Sequence, residues 1–83
     1  MTQIRIEYHG EIIFTIDNKD VANMIVNNLL RSNCDITNVT LEHKETKRQA
    51  KKFILKDLEI FKMGDDVMFF WLQPNTVVYY FID

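Results

Sequence analysis

The sequence predicts a small α+β domain, one or two helices on a mainly antiparallel sheet. The order is β-β-α-β-α-β-β, or β-β-α plus a four-stranded meander. Three observations predict it. Apolar and polar residues alternate over residues 3–16, as in half-buried strands. A capped apolar stripe at helical spacing follows over 17–32. Two runs rich in aromatic and β-branched residues, 67–72 and 77–82, close the chain.

The first strand alternates Ile4, Ile6 and Tyr8 with Gln3, Arg5, Glu7 and His9. Gly10 marks a turn, and Ile12, Phe14 and Ile16 are expected on one face of the returning strand. Asp17 or Asn18 then serves as helix N-cap, with Asp20 in the first turn. Val21, Ala22, Met24, Ile25, Val26 and Leu29 form the apolar stripe, and Asn23, Asn27 and Arg31 line the other side. The helix is expected to end near Ser32, capped by Asn33. Residues 36–43 read as a third strand, with Thr37, Val39, Leu41 and His43 opposite Asn38, Thr40 and Glu42.

Residues 44–63 fit two periods. As a helix, Ala50, Phe53, Ile54, Leu58, Ile60 and Phe61 share a broad arc, with Gly64 as the stop; this is the preferred reading. As strands, Ile54, Leu58 and Ile60 alternate, and 58–63 pairs with 67–72 across Gly64-Asp65-Asp66. The closing runs read as a hairpin around Gln73-Pro74-Asn75-Thr76. Pairing Leu72 with Val77 would then place Phe69, Trp71 and Tyr80 on one face and Phe70, Tyr79 and Phe81 on the other. Neither face is polar. A hairpin of this kind needs cover on both sides, so these six aromatics are the candidate partner or dimer interface.

The chain of 83 residues is read as a single domain, 1–83, of globular composition. A domain of this size buries only about 60–65% of its unfolded surface. No apolar run approaches the roughly 18 residues of a membrane span, and Met1-Thr2-Gln3 leads directly into strand alternation, not into a signal sequence. A lone Cys34 fits a reducing compartment. Abundant Ile, Asn, Lys, Phe and Tyr have AT-rich codons, which points to a low-GC bacterium or its phage and to the cytoplasm of the bacterial host.

Charge is segregated. Residues 44–56 hold Lys44, Lys47, Arg48, Lys51, Lys52 and Lys56 against Glu45 alone, while the whole chain carries a net charge of −2. Such a segment can meet phosphate backbone or an acidic protein surface, or be the solvated side of an amphipathic element. Chemistry is sparse. His9, His43 and Cys34 lack metal-ligand spacing, Gly10 and Gly64 build no phosphate loop, and neither Ser32 nor Cys34 lies in a nucleophile motif. No catalytic residue, metal or cofactor is expected. The resulting expectation is a non-enzymatic, homodimeric protein-binding module, of the character of a phage- or mobile-element-encoded inhibitor or modulator of a host protein. The alternative is a nucleic-acid-binding homodimer that uses the basic 44–56 segment.

Overall fold

In the computed structural model, which describes residues 2–63 and 68–82, seven strands and one helix form an α+β domain. Strands β1 (Thr2–Tyr8) and β2 (Glu11–Ile16) make the first hairpin. His9 and Gly10, at φ 51° and 79°, form its two-residue turn, the left-handed pair that suits the twist of a hairpin. A bulge alters the expected pattern of β2. Phe14 lies opposite Ile6 but Ile12 lies opposite Glu7, so Ile12 turns to the face away from Phe14 and Ile16.

Helix α1 (Lys19–Leu30) starts at Asn18, whose side-chain oxygen accepts hydrogen bonds from the backbone N–H groups of Asp20 and Val21 at 2.9 and 3.1 Å. Of the expected stripe, Ala22, Ile25, Val26 and Leu29 are buried. The helix ends two residues earlier than expected, with Arg31 as C-cap. Asn33 instead ties the helix exit to the end of the fourth strand. Its carbonyl accepts from the Lys56 N–H at 3.0 Å, and its amide donates to Asp57 at 3.0 Å.

The remaining strands are β3 (Cys34–His43), β4 (Thr46–Leu55), β5 (Glu59–Met63), β6 (Met68–Leu72) and β7 (Val77–Ile82). Two expectations are overturned here. The preferred helix over 44–63 is replaced by β4 and β5. A second helix would have buried one arc against the sheet. As a strand between β3 and β7, the same stretch gains hydrogen-bond partners on both edges and still sends Phe53 and Leu55 into the core. Pairing across the sheet overrides an ambiguous local period. The expected turn at Gly64-Asp65-Asp66 lies outside the described residues.

The C-terminal hairpin does not form either. The five-stranded sheet has the order β2-β1-β7-β4-β3, and β6 pairs with β5 in a separate two-stranded sheet. Strand β7 is central, antiparallel to both β1 and β4. Residues 73–76 are drawn to the end of β4: the Asn75 N–H donates to the Leu55 carbonyl at 2.7 Å, and the Leu55 N–H to that of Thr76 at 3.0 Å. Asn75 takes the left-handed φ of 71° that this connection requires. Two runs apolar on both sides cannot cover each other within one hairpin. Placing them in different layers gives each a buried side.

One face of the large sheet carries the core. Ile4, Ile6, Phe53, Leu55 and Val78 meet Ala22, Ile25, Val26 and Leu29 of α1, with Phe61 and Leu72 of the small sheet completing the cluster. Cover therefore comes from a helix and a β-hairpin side by side. The opposite face of the sheet has no second layer among the described residues.

Candidate functional site

The uncovered face solves its own solvation problem. Register places Gln3 opposite Phe81 and Arg5 opposite Tyr79 on β1, with Ala50 and Lys52 of β4 on the other flank. Phe81 is nonetheless fully buried. The Arg48 guanidinium carbon lies 4.0 Å from its ring centroid and that of Arg5 at 5.2 Å. Ala50, the small residue beside Phe81, leaves room for Arg48 to cross it. Gln3 then fixes the arrangement, accepting from Arg48 Nη1 at 2.8 Å and donating to Asp17 at 2.9 Å. Lys52 Nζ stands 5.8 Å from the Tyr79 ring in the same manner. The two guanidinium groups and the Lys52 ammonium thus lie over aromatic rings of the open face.

This arrangement predicts a measurable role for Arg48. Arg48→Ala uncovers Phe81 and lowers stability by about 1–2 kcal/mol, whereas Arg48→Lys restores the stem but not the flat stacking surface and recovers only part of the loss. Urea unfolding of both variants checks this.

The six expected interface aromatics are dispersed. Phe81 and Tyr79 lie under cations on the open face, as described. Tyr80 is half-buried on the helix side, its hydroxyl donating to Asn23 Oδ1 at 3.0 Å; Asn23, expected on the outer side of α1, is therefore turned to the sheet. Phe70 is half-buried, stacked on Phe61 at 4.8 Å between centroids and 6.4 Å from Phe14. The side chain of Phe69 lies outside the described residues. Among the described members of the six, Trp71 alone is largely in water, 59% exposed, directly across the small sheet from Ile60 at 64%.

That pair defines the clearest apolar surface. The β5–β6 sheet buries Phe61 and Leu72 inward and presents Ile60 and Trp71 outward, with exposed Leu58 at its entry. A second exposed apolar set, Ile12, Ile13 and Phe14, lies on edge strand β2. Ile60 stood out in the sequence only as an apolar position of the 44–63 segment, not as a surface residue. Its exposure beside Trp71 becomes visible only once β5 and β6 pair in this register.

The basic residues do not form the stripe a helix would have made. Alternation along β4 sends Arg48 and Lys52 to the open face and Lys47 and Lys51 to the other. Lys47 pairs with Glu42 at 3.5 Å and Lys56 with Asp35 at 3.1 Å, both on the surface, and Lys44 sits in the β3–β4 turn at φ 57°. Arg5, distant in sequence, joins Arg48 at Phe81.

Among the described residues, no three His, Cys, Asp or Glu side chains come together as a metal-binding group. Burial pushes the Cys34 thiol up, with the Glu59 and Asp35 carboxylates adding to the shift, so the thiolate a nucleophile needs is disfavoured. No described helix is long and apolar enough to cross a membrane. Comparison with protein-family models, curated proteins and solved structures finds no match.

Proposed function

We propose that this protein is a non-enzymatic protein-binding module that docks through the outer face of the β5–β6 sheet, with Trp71 as its anchor. One observation carries the reading: the most exposed aromatic of the described chain, Trp71, faces outward beside Ile60 on a hairpin whose inner side is already committed to the core. Trp is the residue most enriched at binding hot spots, because a large rigid ring buries much area at little entropic cost. As a cross-strand pair Ile60 and Trp71 contribute only about 0.2–1 kcal/mol to the small sheet, and most of their apolar surface is left for a partner to bury.

The small size and the exposed Trp71–Ile60 pair fit a modulator that acts by occupying a host surface, of the kind phages and mobile elements encode. A symmetric dimer belongs to the same reading. It uses the β2 edge, where Ile12, Ile13 and Phe14 are exposed and no Lys, Arg or Pro blunts the strand.

The test is affinity capture from host lysate with the wild-type protein and with Trp71→Ser and Ile60→Ser variants side by side. Wild type is expected to retain one stoichiometric protein that both variants lose, with unchanged circular dichroism. Equal retention by all three contradicts the reading. Light scattering on the same samples reads the dimer; a monomer at tens of micromolar removes that part.

A further inference from the structure

The β3–β4 hairpin is longer than the sheet it belongs to. Strand β7 accompanies β4 only over Ala50–Ile54, yet β3 and β4 stay paired as far as His43 and Thr46. On the open face this extension meets the sheet again. Glu7 lies level with Ile54 across Val77, and Thr46 stands at the other end of β4. Both nevertheless wall one cleft of about 360 Å³, with Tyr79 and Phe81 between them. The end of the hairpin therefore bends over the open face and closes one side of the cleft. Clefts of about 300–1,000 Å³ are the usual size for small ligands.

The chemistry of the cleft changes along its length. At the Phe81 end the Arg5 and Arg48 guanidinium groups converge on one ring, 5.2 and 4.0 Å from its centroid. Arg48 is held in place: Gln3 accepts from its Nη1 at 2.8 Å and is itself anchored to Asp17 at 2.9 Å. These side chains meet the apolar demand of the face, and in doing so they leave it cationic. Next along β7 comes Tyr79, half-buried, its ring 6.4 Å from that of Phe81 and 28° from parallel, so the two rings make one shelf. Lys52 adds a third cation there, 5.8 Å from the Tyr79 centroid. Beyond Tyr79 stands the Glu7 carboxylate. The other acid at the cleft, Glu42, is paired with Lys47 at 3.5 Å.

We propose that this cleft binds a nucleoside monophosphate whose base carries an exocyclic amine. The order of groups along the sheet is cations, ring, carboxylate; the order along such a nucleotide is phosphate, base, amine. Two guanidinium groups are the donor set for a phosphate dianion, which takes paired N–H donors from each, whereas one carboxylate engages a single arginine. The Tyr79 ring offers a face on which the base stacks. Glu7 is an acceptor only and therefore selects an amine over a carbonyl at the far edge of the base. Inorganic phosphate or a nucleoside alone satisfies half of this arrangement. The overhanging hairpin end closes the cleft on one side, which suits a free mononucleotide and not a continuous strand.

The experiment is an amide NMR titration of the full chain with AMP, CMP, UMP, adenosine, inorganic phosphate and a 5′-phosphorylated single-stranded oligonucleotide. AMP and CMP are expected to saturate with dissociation constants below about 1 mM, and to shift amides within residues 3–7, 46–52 and 77–81. Adenosine and phosphate should each bind roughly 10- to 100-fold more weakly than AMP, and UMP more weakly than CMP. Arg5→Gln should cost roughly 10- to 100-fold and Tyr79→Leu roughly 5- to 150-fold, each with the spectrum of a folded protein. Glu7→Gln should bring CMP and UMP to equal affinity. Trp71→Ser should leave AMP binding intact, which separates this cleft from the protein-docking surface. Absence of saturable shifts with AMP and CMP, shifts confined to other elements, phosphate binding as tightly as AMP, or the oligonucleotide binding more tightly than the mononucleotides overturns the proposal.

Discussion

Phe53→Ala is expected to lower the free energy of unfolding by about 3–5 kcal/mol, the range for truncating a fully buried phenylalanine. Phe53 sits on β4 at the middle of the sheet, opposite Ile36 on one side and Val78 on the other, with no exposed surface. It reaches into the cluster formed by α1, β1 and the small sheet. A domain of this length has roughly 4–12 kcal/mol in total, so the loss removes a large share of it. Urea denaturation should show a lower midpoint at nearly constant slope. The neighbouring Lys52→Ala, on the open face, is the contrast, with an expected loss below about 1 kcal/mol. Had residues 44–63 been helical, this alternation of large and small effects along β4 would have no basis.

Phe61→Ala is expected to act locally as well as globally. Phe61 is the buried anchor of β5, stacked on Phe70 and packed in the same cluster as Leu72 and the helix. A two-stranded sheet is marginal by itself in water, and among the described residues this one shares no strand pairing with the five-stranded sheet. Removing its anchor costs about 3–5 kcal/mol of burial, and much of that appears as release of the hairpin. Amide hydrogen exchange reads it directly. Protection should collapse in β5 and β6 while β1, β4 and β7 keep most of theirs. Equal loss in all strands would show that the small sheet is not a separate unit.

The local elements were legible where a single period dominated. Ile4 and Ile6 alternate cleanly with Gln3, Arg5 and Glu7, and the Asn18 cap precedes an unbroken stripe, so β1 and α1 follow from pattern and capping alone; β2 does too, except that the bulge turning Ile12 away from Phe14 leaves no mark in the alternation. The segment 44–63 was not legible because it is amphipathic at both periods. Its assignment depends on β3 and β7 as neighbours, which is tertiary information. The C-terminal runs failed for a related reason. Their apolar character was read correctly, but proximity in sequence favoured pairing them with each other. What decides against it is that β7, paired on both edges, becomes the centre of the sheet.

The candidate surface was legible in part. Trp71 and the other aromatics stood out by residue type. Their exposure did not, because a ring in an apolar strand can face the core, a partner or an overlying cation. Phe81 shows the last case: its cover comes from Arg5 and Arg48, residues the sequence marked only as charge. The open face of the sheet, which would otherwise demand a partner, is closed by the chain's own arginines. Among the described residues no such cover lies on the outward side of β5–β6, and this contrast directs attention to Trp71.

Because Trp71 is the chain's one tryptophan, its fluorescence tests the docking surface without a label. The free protein should emit as indole in water does and be readily quenched by iodide. Adding the purified captured partner to saturation should shift the emission to shorter wavelength and protect it from quenching. A buried, unquenchable tryptophan in the free protein, or a fully bound complex in which emission and quenching stay unchanged, would contradict Trp71 as the anchor.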